Sequence, residues 1–374
     1  MGSISGPVGS LPVPSWLSSS KRNSSSTSSG KVLSIDNINP HVKKAQYAVR
    51  GELAVKSEKY KEDLAAGKQL PFDKVIAANI GNPQQLDQKP ITFFRQVTSI
   101  MENPQLLEHE DVLTGPLGYK SDVLDRAKRL LKDVKSVGAY SQSHGAPGIR
   151  QSVADFIERR DGYPANKDEI YLSGGASSGV NTLMHIICAN PDTGILVPIP
   201  QYPLYTATLS LLNARAVPYY LEESQAWGTD IEAVKSSLKS ARSSGTDVRA
   251  IVIINPGNPT GASLSADNIR SILQFAAEEK LVVIADEVYQ TNVFEGTFLS
   301  FKKGLRDLQK SSENSDGKFD NLELASLHSI SKGMVGECGH RGGYFELCGF
   351  DEEVRVSFPP PPSLSPQRHQ LTVP

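Results

Sequence analysis

An α/β fold, with a mainly parallel sheet between two layers of helices, is what this sequence predicts. Short runs rich in Val, Ile and Leu alternate with longer helix-like stretches between about residues 35 and 350. The runs are apolar almost end to end, the mark of strands covered on both faces. Glycine-, proline- or carboxylate-bearing turns follow several of them directly, which is where open α/β sheets place their ligands. In chain order the strand candidates are 169–172, 194–199, 217–221, 248–254, 281–285, 324–329 and 344–347, seven in all. The run at 248–254 is the strongest, and 281–285 has the same unbroken apolar character. Helical patterns occupy 178–188, 230–240 and 265–279, the last opening on the start signal Ser265-Ala266-Asp267.

Composition narrows the function. The chain has 374 residues, 39% of them hydrophobic, enough for a large core and more than one lobe. Its 39 Lys and Arg balance 41 Asp and Glu, so no net field gathers nucleic acid or an anionic membrane. No apolar run approaches the roughly 20 residues of a membrane span, and no repeat period indicates a solenoid. Cys188, Cys338 and Cys348 form neither an even disulfide framework nor a C-x-x-C metal spacing. No metal is expected, and a reducing compartment, cytoplasmic or mitochondrial, fits. The two ends differ from the middle. Residues 1–34 are crowded with serine and carry no acidic residue, a composition that suits a disordered tail or a transit segment. Residues 351–374 turn proline-rich, and Pro359-Pro360-Pro361-Pro362 removes helix and central-strand options together.

Candidate chemistry lies after the strands. Leu172-Ser173-Gly174-Gly175-Ala176-Ser177-Ser178-Gly179 reads as strand, glycine-rich turn and helix start, aiming free N–H groups and a positive dipole end at an anion. Many such turns merely cap helices. Asn255-Pro256-Gly257-Asn258-Pro259-Thr260-Gly261 follows the strongest strand and is either a rigid turn or a binding loop. Ala285-Asp286-Glu287-Val288-Tyr289 sets carboxylates at another strand end, as a solvated loop would also do. Ser329-Ile330-Ser331-Lys332-Gly333 ends a further strand, and Arg341 follows in Gly339-His340-Arg341-Gly342-Gly343. A lysine at a strand end is by itself usually a surface lysine. His144, His328 and His340 are read as structural.

Taken together and in this order, over roughly residues 39–355, the segments resemble the class I aminotransferases, pyridoxal-phosphate (PLP) enzymes of fold type I. Ala48-Val49-Arg50-Gly51-Glu52, Asn79-Ile80-Gly81-Asn82-Pro83, Pro200-Gln201-Tyr202-Pro203-Leu204-Tyr205 and Gly336-Glu337-Cys338-Gly339-His340-Arg341-Gly342-Gly343-Tyr344 resemble the alanine aminotransferase branch in particular. Its members exchange the amino group between alanine and 2-oxoglutarate. The resemblance implies that Lys332 holds the cofactor as a Schiff base and shuttles the substrate's Cα proton. It implies that Asp286 pairs with the pyridinium nitrogen, keeping the ring an electron sink. Tyr289 and Asn258 would hydrogen-bond the cofactor's 3-oxygen and Tyr202 would stack on its face. Ser329, Arg341 and the amides of Ala176 and Ser177 would hold the phosphate. Gly81 stands at a substrate-binding position, and Tyr140 matches a tyrosine that reaches the phosphate of a neighbouring subunit, so a homodimer is implied. On this pattern 35–135 is an N-terminal arm with part of a small domain, and 136–350 is the PLP-binding large domain.

One departure bears on activity. Members of this family close on the substrate carboxylate with an arginine in a C-terminal small domain, and after about Arg355 the resemblance gives way to the proline-rich segment. The expectation is an alanine aminotransferase with a complete cofactor site and an impaired substrate clamp. Two other readings stay open: a non-catalytic chain that binds PLP or pairs with a longer subunit, and another fold type I enzyme such as a glutamate–glyoxylate aminotransferase or a lyase.

Overall fold

The structure, a computed structural model, describes residues 32–47, 51–76 and 81–358. Most of the serine-rich start, residues 48–50 and 79–80 of two of the matching segments, and the proline run from Pro359 onward lie outside the described residues. The chain divides into two units, one up to Pro40 and one from His41 onward. In the first, Asn37 closes a turn: its Nδ2 donates to the Val32 carbonyl at 2.8 Å and its Oδ1 accepts from the Ser34 amide at 2.7 Å.

The second unit is built on one sheet. Its strands are β1 (Ile170–Ser173), β2 (Thr193–Ile199), β3 (Arg215–Glu222), β4 (Gly228–Thr229), β5 (Asp247–Ile254), β6 (Val282–Asp286), β7 (Leu324–Ser329) and β8 (Gly343–Cys348). They run in the order β1-β8-β7-β6-β5-β2-β3-β4. β3, β2, β5, β6 and β7 are mutually parallel, while β8 lies antiparallel between β1 and β7. All seven expected strands are present, with ends within two residues of those expected. The sheet has an eighth strand, against the seven expected: β4, a two-residue partner to the end of β3, too short for any hydrophobic period to register.

Strand alternation splits the core in two. Ile251 and Ile253 of β5 point to one face, where they meet Leu196, Val283 and the helices Ile231–Ser243, Ala266–Glu279 and Phe301–Lys310. Ala250, Val252 and Ile254 point to the other, against Ile195, Val197, Leu327 and the helices Ala176–Ile187 and Leu204–Leu211. The expected helix starts are made by side-chain caps: Asp230 accepts from the Glu232 amide and Ser265 from the Asn268 amide, each contributing about 1 kcal/mol. A third cluster joins the helices Thr92–Glu102, Ser121–Val134 and Pro147–Asp161 to Ile170, Leu172 and Tyr344 of β1 and β8. Its apolar positions recur at helical spacing, as at Val97, Ile100 and Met101.

The chain leaves β2 toward β3 in one direction and β5 toward β6 and β7 in the other. Such a reversal opens a crevice beyond the carboxyl ends of the strands. Ser173, Gly343 and Ser329 fall in register at this same edge.

Candidate active site

The crevice has two halves. One is a ring of donors around the start of the helix Ala176–Ile187. Gly175 has φ +93° and supplies no side-chain cap. Its carbonyl receives the amides of Ser178 at 3.1 Å and Gly179 at 3.3 Å, so the amides of Ala176 and Ser177 stand ahead of the first helical bonds and point outward. Arg341, itself at φ +52°, donates to the Gly174 carbonyl at 3.1 Å, the Cys338 carbonyl at 3.0 Å and the Ser331 hydroxyl at 3.4 Å. A Cβ on Gly175 would stand 2.7 Å from Arg341 Nη2 and would displace the guanidinium, and φ +93° disfavours any side chain there. Ser329 Oγ bonds Ser331 Oγ at 3.0 Å and the Gly342 carbonyl at 3.2 Å. Ser331 thus belongs to this group although sequence reasoning passed over it; its place between Ser329 and Lys332 was the available signal.

The other half holds Asp286, Tyr289, Asn258, Lys332, Tyr202 and Gly81. Asp286 ends β6 and is 5% exposed. Burial raises its pKa, opposed by the Tyr205 hydroxyl at 2.6 Å, the Val288 amide at 3.4 Å and the charge of Lys332. Tyr205 is fully buried and was also missed: it lies inside a quoted segment, but nothing in the sequence shows that it faces a carboxylate. Asn258 Nδ2 donates to the Tyr289 hydroxyl at 3.1 Å. Burial, and then Asp286, push the Tyr289 phenol up. Lys332 Nζ lies 5.7 Å from the centre of the Tyr289 ring, and a Cβ on Gly81 would approach it to 3.8 Å. The Tyr202 hydroxyl is hydrogen-bonded to that of Tyr47, with the two rings edge to face at 6.0 Å. Burial also raises the pKa of Tyr202. Tyr47 carries no motif that could have announced it.

Tyr140 is not drawn into this group and is 96% exposed. His144 meets the Phe358 carbonyl at 3.2 Å and packs on Tyr171; His340 lies 3.8 Å from Glu337. Arg355 lies 3.6 Å from Glu169, at the amino end of β1 and so at the opposite edge of the sheet from the crevice.

The crevice therefore combines an outward-facing set of donors suited to a phosphate, a buried carboxylate, a phenol tied to an amide, and a lysine beside them. The family model for "Aminotransferase class I and II" matches residues 117–349. A mitochondrial alanine aminotransferase of Saccharomyces cerevisiae is 52% identical over 328 residues, 86% of this chain and 55% of that protein. An inactive alanine aminotransferase of the same organism is 50% identical over 332 residues, covering 87% and 64%. A solved alanine aminotransferase from Pyrococcus furiosus superposes with a TM-score of 0.64 at 21% identity, over 85% of this chain and 66% of that one. The chain spans between about half and two thirds of the length of these relatives.

Proposed function

Since the chain belongs to the class I and II aminotransferases, we propose that it holds PLP in this crevice and moves an amino group between an amino acid and a 2-oxoacid, with alanine and 2-oxoglutarate as the pair. The convergence of Lys332, buried Asp286 and the donor ring of Arg341, Ser329, Ala176 and Ser177 on one sheet edge carries this reading. Donors fit the phosphate, and the carboxylate fits a protonated ring nitrogen. When bound, PLP supplies an electron sink that makes the substrate's Cα proton removable.

The chain's own residues do the rest. Lys332 Nζ would hold the cofactor and, once released by substrate, move the proton at the substrate's Cα. Asp286, its Oδ2 held by the Tyr205 hydroxyl and its Oδ1 by the Val288 amide, would pair with the protonated ring nitrogen. Tyr289 and Asn258, already bonded to each other, would hold the ring oxygen, and Tyr202 would cover the ring. Gly81 leaves space beside Lys332 for the substrate. Exposed Tyr140 suits contact with a second copy, as a homodimer requires, and the mitochondrial relative favours mitochondria over cytoplasm.

The test is borohydride reduction of the folded chain mixed with PLP, followed by peptide mapping. A pyridoxyl group on Lys332 is expected; label on another lysine, or none, overturns the assignment. The relative named inactive motivates a second reading, a chain that binds PLP without turnover. A coupled alanine:2-oxoglutarate assay on the labelled-competent protein separates the two.

A further inference from the structure

We propose that a cavity on the far side of the 329–332 turn is a binding site for an amphipathic carboxylate, a molecule with an apolar body and one acidic head. The cavity has a volume of about 730 Å³ and is lined by Ser329, Ile330 and Lys332 but by none of Asp286, Tyr289, Asn258, Tyr202 or Arg341. It adjoins the crevice, sharing Ser329 and Lys332 with it, and extends away from the other crevice residues. Its size falls within the roughly 300–1,000 Å³ of small-molecule sites and far exceeds what a small oxoacid fills.

The walls are apolar: Phe93, Val97, Leu130, Val153, Phe156 and Ile330, mostly from the three helices of the third cluster. Charge on the lining is one-sided. Arg95 is taken up by Glu337, with bonds of 2.9 and 3.0 Å. Arg126 and Arg129 sit three residues apart on the helix Ser121–Val134, and Arg159 comes from Pro147–Asp161. None of the three has a hydrogen bond or ion pair among the described residues; Arg126 is half-buried, while Arg129 and Arg159 are exposed at the mouth of the cavity. Arg126 is disfavoured as a cation, first by burial and then by the like charge of Arg129. The remaining carboxylate on the lining, Asp155, accepts the Gln151 amide at 2.8 Å.

Like charges at this spacing destabilise a helix, and unpaired guanidinium groups beside an apolar wall are forks matched to a carboxylate. A second, independent sign lies in the lining: His328 Nδ1 and the Tyr344 hydroxyl are buried with no partner, where buried polar atoms almost always have one. An acid with an apolar body answers the arginines and the apolar wall, and leaves room for water or a second polar group of the ligand to meet His328 and Tyr344. Its head meets the arginines and its body fills the aromatic wall, next to the lysine turn.

Calorimetric titration of the full chain with decanoate tests this, with decanol and decyltrimethylammonium as neutral and cationic controls. Saturable one-to-one binding of decanoate is expected, with decanol at least about tenfold weaker, the worth of a charge-assisted hydrogen bond, and no binding of the cation. Arg126→Gln/Arg129→Gln should lose about tenfold or more while Arg126→Lys/Arg129→Lys, which keeps the charge but not the fork, should lose less, circular dichroism being unchanged in both. Should the double variant fail to fold, Arg159→Gln, an exposed position, provides the same reading. Inorganic phosphate should not displace decanoate; displacement would put the acid at Arg341 and overturn the proposal. So would equal affinity for decanol, wild-type affinity in the glutamine variants, or no saturable binding because a second copy of the chain covers the cavity.

Discussion

The two faces of the 329–332 turn are built in opposite ways. Toward the crevice, Arg341 spends its guanidinium on two carbonyls and a hydroxyl, and Ser329 is bonded on both sides. Toward the cavity, Arg126, Arg129 and Arg159 reach the lining with no ion pair or hydrogen bond among the described residues, the last two exposed to solvent. Crevice donors are fixed before any ligand arrives, so binding there costs little ordering, the condition for a permanent cofactor site. Unspent donors on the other face have only a ligand to gain.

That contrast can be broken by mutation. Arg341→Ala removes the fork that ties the 338–341 loop to Gly174, and it should cost about 3 to 4 kcal/mol in urea unfolding, along with at least about a hundredfold in PLP affinity. A loss below 1 kcal/mol would mean that the crevice is no more organised than the cavity.

Beneath both faces lies fully buried Glu287, which accepts from the Ser326 hydroxyl and the Phe301 amide. Burial, against the pull of Arg160 and these donors, holds its pKa up to about 7 from 4.5. A carboxyl protonated more readily folded than unfolded adds stability that is complete below about pH 4.5 and lost as pH rises to about 7. His328 acts in the reverse sense: burial first, then Arg160, depress it from 6.5 to about 4, so its contribution is present above pH 6.5 and lost on acidification. The two slopes oppose each other. Relative to the parent chain, Glu287→Gln should therefore gain about 2 to 3 kcal/mol of unfolding free energy between pH 4.5 and 7. Parallel profiles for the two proteins would show that Glu287 titrates normally.

Gly175→Ala places a Cβ at φ +93° and 2.7 Å from Arg341 Nη2, for a loss of roughly 2 kcal/mol. Arg129→Gln, on the cavity side, removes no bond and should move stability by no more than about 0.5 kcal/mol in either direction. Comparable losses for Arg129 and Arg341 would erase the distinction between the faces.

The same contrast explains what was legible beforehand. Asp286, Asn258, Ser329, Lys332 and Arg341 could be picked out because each follows a short apolar run, and the geometry of a parallel sheet gathers strand ends at one edge. Strands such as β2, β5 and β8 announced their burial by being apolar on both faces, whereas β3 has one face exposed. Tyr205 and Tyr47 could not be found this way, since a hydrogen bond across the fold leaves no trace in local periodicity. The cavity was equally hidden: Phe93, Arg126, Arg129 and Arg159 come from three helices whose patterns record only which face is apolar.

The antiparallel strand has a consequence in time. β1 has a single neighbour in the sheet, β8, and Ile170 waits for Glu346, Ser173 for Gly343. At the roughly 5–20 residues per second of synthesis, β1 spends on the order of ten seconds or more outside the ribosome with an unpaired edge. Gly343 also packs against Gly175, where a Cβ would come within 3.0 Å. The donor ring thus closes only when nearly all of the described chain has emerged, and a nascent chain stalled before β8 would present Lys332 with no phosphate seat beside it.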